Sequence, residues 1–238
     1  MNRGRLLRYS LWQFRDFFVE RGIAIFIIGF LWGYVVIAPL RASLGASLAS
    51  AWPLIFQITS AVVSISVLIA LNGIVSTDRK AGYYRFLFSK PISAVLYYAQ
   101  LFFIYMLGVI AVMFVLGSLL HSILPLFSVW NFLLYTALIY VAMGGIGFFV
   151  SVATRYDWLS LAAVWLGARM LRLIYGPKTD WRSRAVELLP PVHKVDEVAN
   201  SLIGKGTAAT SDVVWLLGYG ALLFVLGLLL LQKGKLAD

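Results

Sequence analysis

The sequence contains no cysteine, which excludes disulfides, iron–sulfur clusters and thiolate metal sites. Histidine is almost absent too. His121 and His193 are the only two, and neither stands at a ligand-like spacing from carboxylates, so both read as surface or loop residues rather than metal ligands. No Gly-x-x-x-x-Gly-Lys-Ser/Thr loop is present. Gly204-Lys205-Gly206-Thr207 lacks the preceding glycine spacing, so the chain is not expected to bind ATP itself. No pair of acids lies within an apolar run to relay protons, which disfavours a proton-coupled carrier. No serine–histidine or paired-aspartate constellation supports an intramembrane protease, and an enzyme acting on lipid would need a polar catalytic cluster that the chain lacks. Charge is scarce: 13% of the 238 residues are Asp, Glu, Lys or Arg, against roughly 25% in an ordinary soluble domain. No polar stretch is long enough for a separate globular domain of about 50 residues.

What fills the sequence is apolar. Hydrophobic residues make up 61% of it, gathered into runs that each suffice for the roughly 20 helical residues needed to cross a bilayer. The expected fold is therefore all-α: one polytopic domain over residues 1–238, with six transmembrane helices at about 22–40, 52–75, 94–120, 130–153, 158–175 and 213–231. Trp52, Trp130, Trp158 and Trp215 stand near span boundaries, where interfacial aromatics belong. Arg15, Asp16, Glu20 and Arg21 interrupt the N-terminal region before the long apolar run, and no small-residue cleavage site follows. The first span is thus expected to remain in the mature protein. Residues 5–20 read as an interfacial helix, with Leu7, Leu11, Phe14 and Phe18 on one face and Arg5, Arg8, Gln13, Asp16 and Glu20 away from it.

The net charge of +10 sits between apolar runs rather than in polar clusters, which argues against nucleic acid and for topology-setting charge. One side of a six-span bundle collects Arg3, Arg5, Arg8, Arg15, Arg21, Arg79, Lys80, Arg85, Lys90, Arg155, Lys233 and Lys235. The other collects Arg41, Lys178, Arg182, Arg184, Lys194 and Lys205. The 12 against 6 places both termini in the cytoplasm by the positive-inside rule. Residues 176–212 then form an external loop. Within it Pro190-Pro191, followed by Val192, Val195, Val198, Ala199 and Leu202, reads as a short amphipathic helix ending near Gly204.

Loop 76–93 is basic, hence cytoplasmic, yet carries Phe86, Leu87 and Phe88, which are costly to leave in water. Those side chains must meet lipid, the bundle or a partner protein. Asp78, Arg79, Gly82, Leu87, Pro91, Ile92 and Ser93 match, in order and spacing, the loop after the second span of ABC-2 type exporter permeases, and the chain resembles that family. The resemblance implies that the loop is a coupling helix docked on a separate ATPase subunit, which holds the ATP and Mg; this chain binds no cofactor. Asp78, Arg79 and Lys80 would make the polar contacts, Phe86 and Leu87 the apolar plug, with Gly82 and Pro91 shaping the segment. A leucine pair usual in the family is here Phe86-Leu87, and Tyr83-Tyr84 replaces small or acidic residues. The family expectation is an exporter permease in the bacterial inner membrane, paired with a second permease copy across spans 1 and 5. The rival reading is a membrane scaffold without ATP coupling.

Four polar residues of span 2, Gln57, Ser60, Ser64 and Asn72, fall within about 120° on a helical wheel. They read either as one wall of a translocation path or as interhelical hydrogen bonds worth about 0.6–2 kcal/mol each. Arg169 and Arg172 lie inside span 5, where arginine is costly unless it snorkels, pairs with an acid such as Glu187, or meets an anionic substrate group. Gly29 and Gly33 form a Gly-x-x-x-Gly pair that lets another helix approach; the expected neighbour is the second copy.

Overall fold

The computed structural model describes residues 3–44, 48–75, 93–154, 157–175 and 192–233, together with Asp78 and Trp181. Every element among them is helical. Residues 3–44 form one continuous helix, α1, which passes through π-turns at Phe18–Gly22 and Trp32–Ile37. Then come α2 (Leu48–Leu71), α3 (Ala94–Ile123), α4 (Val129–Ala153), α5 (Asp157–Tyr175), α6 (Val192–Lys205) and α7 (Thr210–Lys233).

Five helices are long and apolar enough to cross a membrane: Ser10–Ser43 within α1, Trp52–Leu71, α3, α4, and Thr210–Gln232. The chain is a helical membrane protein. α5, the expected fifth span, forms at the expected place but carries Arg169 and Arg172 and does not count among the five.

The N-terminal segment departs from the sequence expectation in two ways. No break separates an interfacial helix from a first span, because the segment runs straight on as α1. The helix Ser10–Ser43, 34 residues long, measures about 50 Å, so its charged turns at Arg15–Arg21 extend beyond a hydrocarbon core of about 30 Å, which the uncharged residues 22–40 suffice to cross. The buried face also differs. Gln13 and Phe17 are buried while Leu11 and Trp12 are exposed, because α1 packs on α3 here. The Phe17 ring covers Gly108, where an added Cβ would come within 2.4 Å of it. Over residues 10–43 the buried positions of α1 are Gln13, Phe17, Gly22, Ile25, Gly29, Gly33 and Ile37. A uniform α-helix would rotate such a stripe away from its partner, because steps of four or five overshoot 3.6 residues per turn. The two π-turns take up the excess: the five-residue step from Phe17 to Gly22 and the four-residue step from Gly33 to Ile37 both fall in them. One face of α1 therefore stays on α3.

α4 is the axis of the bundle, touching α2, α3, α5, α6 and α7. Ser128 caps it, accepting a hydrogen bond from the Asn131 backbone N–H at 3.4 Å. α7 lies most extensively against it. A Cβ on Gly145 would stand 1.9 Å from the Gly220 carbonyl oxygen, and one on Gly220 would stand 2.3 Å from that of Val141. Only glycine permits this approach of two backbones. α6 forms where Pro190-Pro191 and the valine spacing predict it. It buries Val195, Val198, Ala199 and Leu202 against the neighbouring helices, α2 and α4 above all. Lys194 of α6 pairs with Asp212 in the first turn of α7 at 2.5 Å. Just past the end of α2 stands Gly73, whose φ of 77° is the left-handed conformation that stops a helix.

Candidate functional site

Among the described residues, a polar grouping gathers around Asp78, between the end of α2 and the start of α3. Arg21, on the first π-turn of α1, donates from Nη1 to the Ala70 carbonyl, one of the last carbonyls of α2. Those carbonyls have no intrahelical partner and carry the negative end of the helix dipole, so a guanidinium suits the position. The same group stands 4.6 Å from the centre of the Tyr105 ring on α3, within cation–π range. One arginine thus joins α1, α2 and α3.

Asp78, the first motif residue of the loop, belongs to the same grouping. Its Oδ2 accepts a hydrogen bond from the Tyr98 hydroxyl of α3 at 3.2 Å. Partial burial pushes the Asp78 carboxyl above the usual carboxylate value, while the Tyr98 hydrogen bond and the Arg21 charge pull it back. One layer away, Gln100 Nε2 of α3 donates to Ser10 Oγ at 2.8 Å and to Gln13 Oε1 at 3.4 Å. This explains why Gln13 faces inward. The first motif residue of the loop is therefore held by a side chain of α3 and stands in the field of an α1 arginine that also caps α2.

The other expected loop contacts, Arg79, Lys80, Gly82, Phe86, Leu87 and Pro91, lie outside the described residues. Of the four polar residues on α2, Ser60 is buried and shares a hydrogen bond of 2.6 Å with the Tyr135 hydroxyl of α4. Gln57 and Asn72 are exposed and Ser64 is half-buried. Thr59, Ser66 and Thr136 return their hydroxyls to the carbonyl four residues back, as buried hydroxyls in apolar helices do. Arg172 is half-buried on α5; the Arg169 side chain lies outside the described residues.

Gly29 and Gly33 face α3 of the same chain. A Cβ on Gly29 would stand 2.3 Å from Leu116, and one on Gly33 would stand 3.3 Å from Leu120. The close approach read from the glycine pair is real, but its partner is intramolecular, because the π-turns keep that face on α3. His121 accordingly serves the turn after α3, its Nδ1 lying 2.8 Å from the Phe127 carbonyl oxygen. Among the described residues no group of three or more His, Asp or Glu could hold a metal ion.

Sequence reasoning used Arg21 for topology and for the charged N-terminal interruption, and missed Tyr98, Tyr105 and Gln100. The available signal was positional: Arg21 is the last charge before Arg41, so it had to find a partner at the membrane boundary. No family model matches the chain, and no curated protein or solved structure is detectably similar to it.

Proposed function

We propose that the chain is the permease subunit of an ATP-driven exporter of the ABC-2 type, with six spans counting α5 and both termini in the cytoplasm. A separate ATPase subunit holds ATP and Mg and grips loop 76–93; a second permease copy completes the path through the lipid bilayer. The observation that carries this reading is the attachment of Asp78. It opens the stretch that matches the family motif, accepts a hydrogen bond from Tyr98 on α3, and feels the charge of Arg21 on α1, which caps α2. A pull on the loop would therefore act directly on α3, beside the arginine that ties α1 to α2, as coupling to a rigid bundle requires. No catalytic residue is needed in this chain.

Phe86→Asp combined with Leu87→Asp, or Gly82→Ile, tests the proposal. Each should leave the bundle folded and the ATPase subunit bound weakly or not at all, with loss of transport-stimulated ATP hydrolysis. Normal coupling in a well-expressed double variant, or failure to capture any nucleotide-binding subunit from native membranes, would favour the scaffold reading. Topology is open to direct labelling because the chain has no cysteine. Single cysteines at Ser76 and Ala237 should react from the cytoplasmic side and one at Thr207 from the opposite side.

A further inference from the structure

A shallow surface groove, open to its surroundings and without an enclosed cavity, runs between α1 and α3 in the half of the bundle remote from the N-terminus. One wall is Phe30 and Tyr34 of α1, the end of an aromatic ladder in which Phe26, Phe30 and Tyr34 stack with centroid spacings of 5.9 and 4.6 Å. Phe30 and Tyr34 remain exposed. The other wall is Leu119 and Ile123 of α3, and Gly33 adds no side chain to the floor. The face belongs to a membrane-spanning pair of helices, so lipid is its surrounding medium.

Charge says which lipid. Arg41 is exposed at the end of α1 and donates from Nη1 to the Ile123 carbonyl, so it stands at the mouth of the groove. That bond uses one of five guanidinium N–H groups. Residues 22–44 and 93–128 contain no Asp or Glu, so neither helix supplies an acid to neutralise it. Arg41 follows Arg21 by 20 positions, about 30 Å of helix, which matches the thickness of a hydrocarbon core. With Arg21 at one boundary, Arg41 lies at the headgroup level of the far leaflet, and Tyr34 about 10 Å further in.

We propose that this groove seats an acyl chain of one anionic phospholipid in the leaflet remote from the N-terminus, with its phosphate on Arg41. The guanidinium fork matches phosphate oxygens in geometry and charge. The aromatic ladder and Leu119 supply dispersion contacts along the chain that a plain helix surface would not concentrate. The site does not depend on the transport reading and would exist in a scaffold as well.

The test compares thermal unfolding and native mass spectra of the full chain in detergent supplemented with phosphatidylglycerol, with phosphatidylcholine, or with glycerophosphoglycerol, which has the same headgroup and no chains. Phosphatidylglycerol should raise the midpoint above phosphatidylcholine and remain bound as a discrete lipid, while glycerophosphoglycerol should do neither. Arg41→Gln keeps a donor for Ile123 and removes the charge. It should lower retained phosphatidylglycerol relative to phosphatidylcholine by roughly tenfold, the size of one charge-assisted hydrogen bond. Leu119→Trp keeps Arg41 and fills the groove, and should also erase the preference. Each comparison is made within one variant, so a lower baseline stability does not disturb it. An undiminished preference in Arg41→Gln would overturn the proposal, as would equal stabilisation by the chain-free headgroup.

Discussion

α4 and α7 are nearly the same helix by composition and opposite in use. They have 25 and 24 residues, with mean hydropathies of 2.0 and 2.5 over their most apolar stretches, yet 72% of that stretch is buried within the chain in α4 and 17% in α7. α4 buries Tyr135, Thr136, Tyr140 and Ser151 besides its apolar residues. α7 leaves Leu222, Val225, Leu226, Leu229 and Leu230 exposed and turns Leu216, Gly220, Gly227 and Leu231 inward. In lipid, hydrophobicity decides that a helix crosses but not which neighbour it takes, since the surrounding chains are as apolar as leucine. Small residues and hydroxyl groups make that choice.

The sharpest way to break the comparison is at the glycine crossing. Gly145→Leu or Gly220→Leu would drive a side chain into a backbone carbonyl and should cost more than the roughly 1–3 kcal/mol of ordinary overpacking. The expected result is loss of the monodisperse peak in size-exclusion chromatography. Gly218→Leu, on the same helix with nothing within 4 Å, should leave that peak unchanged. If all three behave alike, the α4–α7 crossing is misplaced.

Next in size is the aromatic packing on the same seam. Phe148 is buried against Gly227, Phe102 and Phe224. Phe148→Ala should lower stability by on the order of 3 kcal/mol, while Leu226→Ala on the lipid-facing side of α7 should stay within about 0.5 kcal/mol. Chemical denaturation in mixed micelles would report both.

A smaller effect sharpens the role of hydroxyls. Ser60→Ala and Tyr135→Phe should each cost about 0.6–2 kcal/mol. The double variant should cost less than their sum, because the two single changes remove the same hydrogen bond. Strict additivity would mean that the 2.6 Å contact contributes nothing specific.

The smallest effect lies at the loop junction and is read by pH. The Asp78 carboxyl is raised above its ordinary 3.8, chiefly by burial, so its ionised form costs stability in the folded chain. That cost is present above the folded-state value and is relieved as pH falls through it, the reverse of a salt-bridged acid. Melting curves of wild type and Asp78→Asn, taken from neutral pH down towards roughly pH 4, should converge as the wild-type carboxyl takes up its proton. In Arg21→Gln, which removes a charge that holds the value down, convergence should begin at higher pH. Parallel curves throughout would show that Asp78 is not coupled to this cluster.

Much of the fold was legible because its signals are local. The spans at 94–120 and 130–153 appear as helices at 94–123 and 129–153, and the amphipathic segment after Pro190-Pro191 appears as α6. Proline, valine spacing and apolar run length act through the backbone of their own segment and need no partner to be read. The N-terminal segment was less legible because its outcome depends on α3. The stripe of Leu7, Leu11, Phe14 and Phe18 is a sound amphipathic pattern, yet Gln100 and Gly108 of α3 offer an amide and a groove that draw Gln13 and Phe17 inward instead. The candidate site divides the same way. Asp78 could be picked out by its place in a motif, whereas Arg21, Tyr98 and Tyr105 are far apart in sequence and carry no motif.

The sequence by itself determined that this chain enters a membrane, as helices, at these places. Run length, hydropathy and the absence of charge decide that without reference to any other residue, since a backbone in lipid must satisfy its own hydrogen bonds. Only the tertiary structure decided the neighbours: α4 at the centre, α7 on its rim, the glycine pair of α1 turned to its own α3, and Arg21 and Arg41 on the ends of other helices. Those choices rest on contacts between surfaces that are equally apolar in sequence and differ only in shape, so they exist only once the helices are packed.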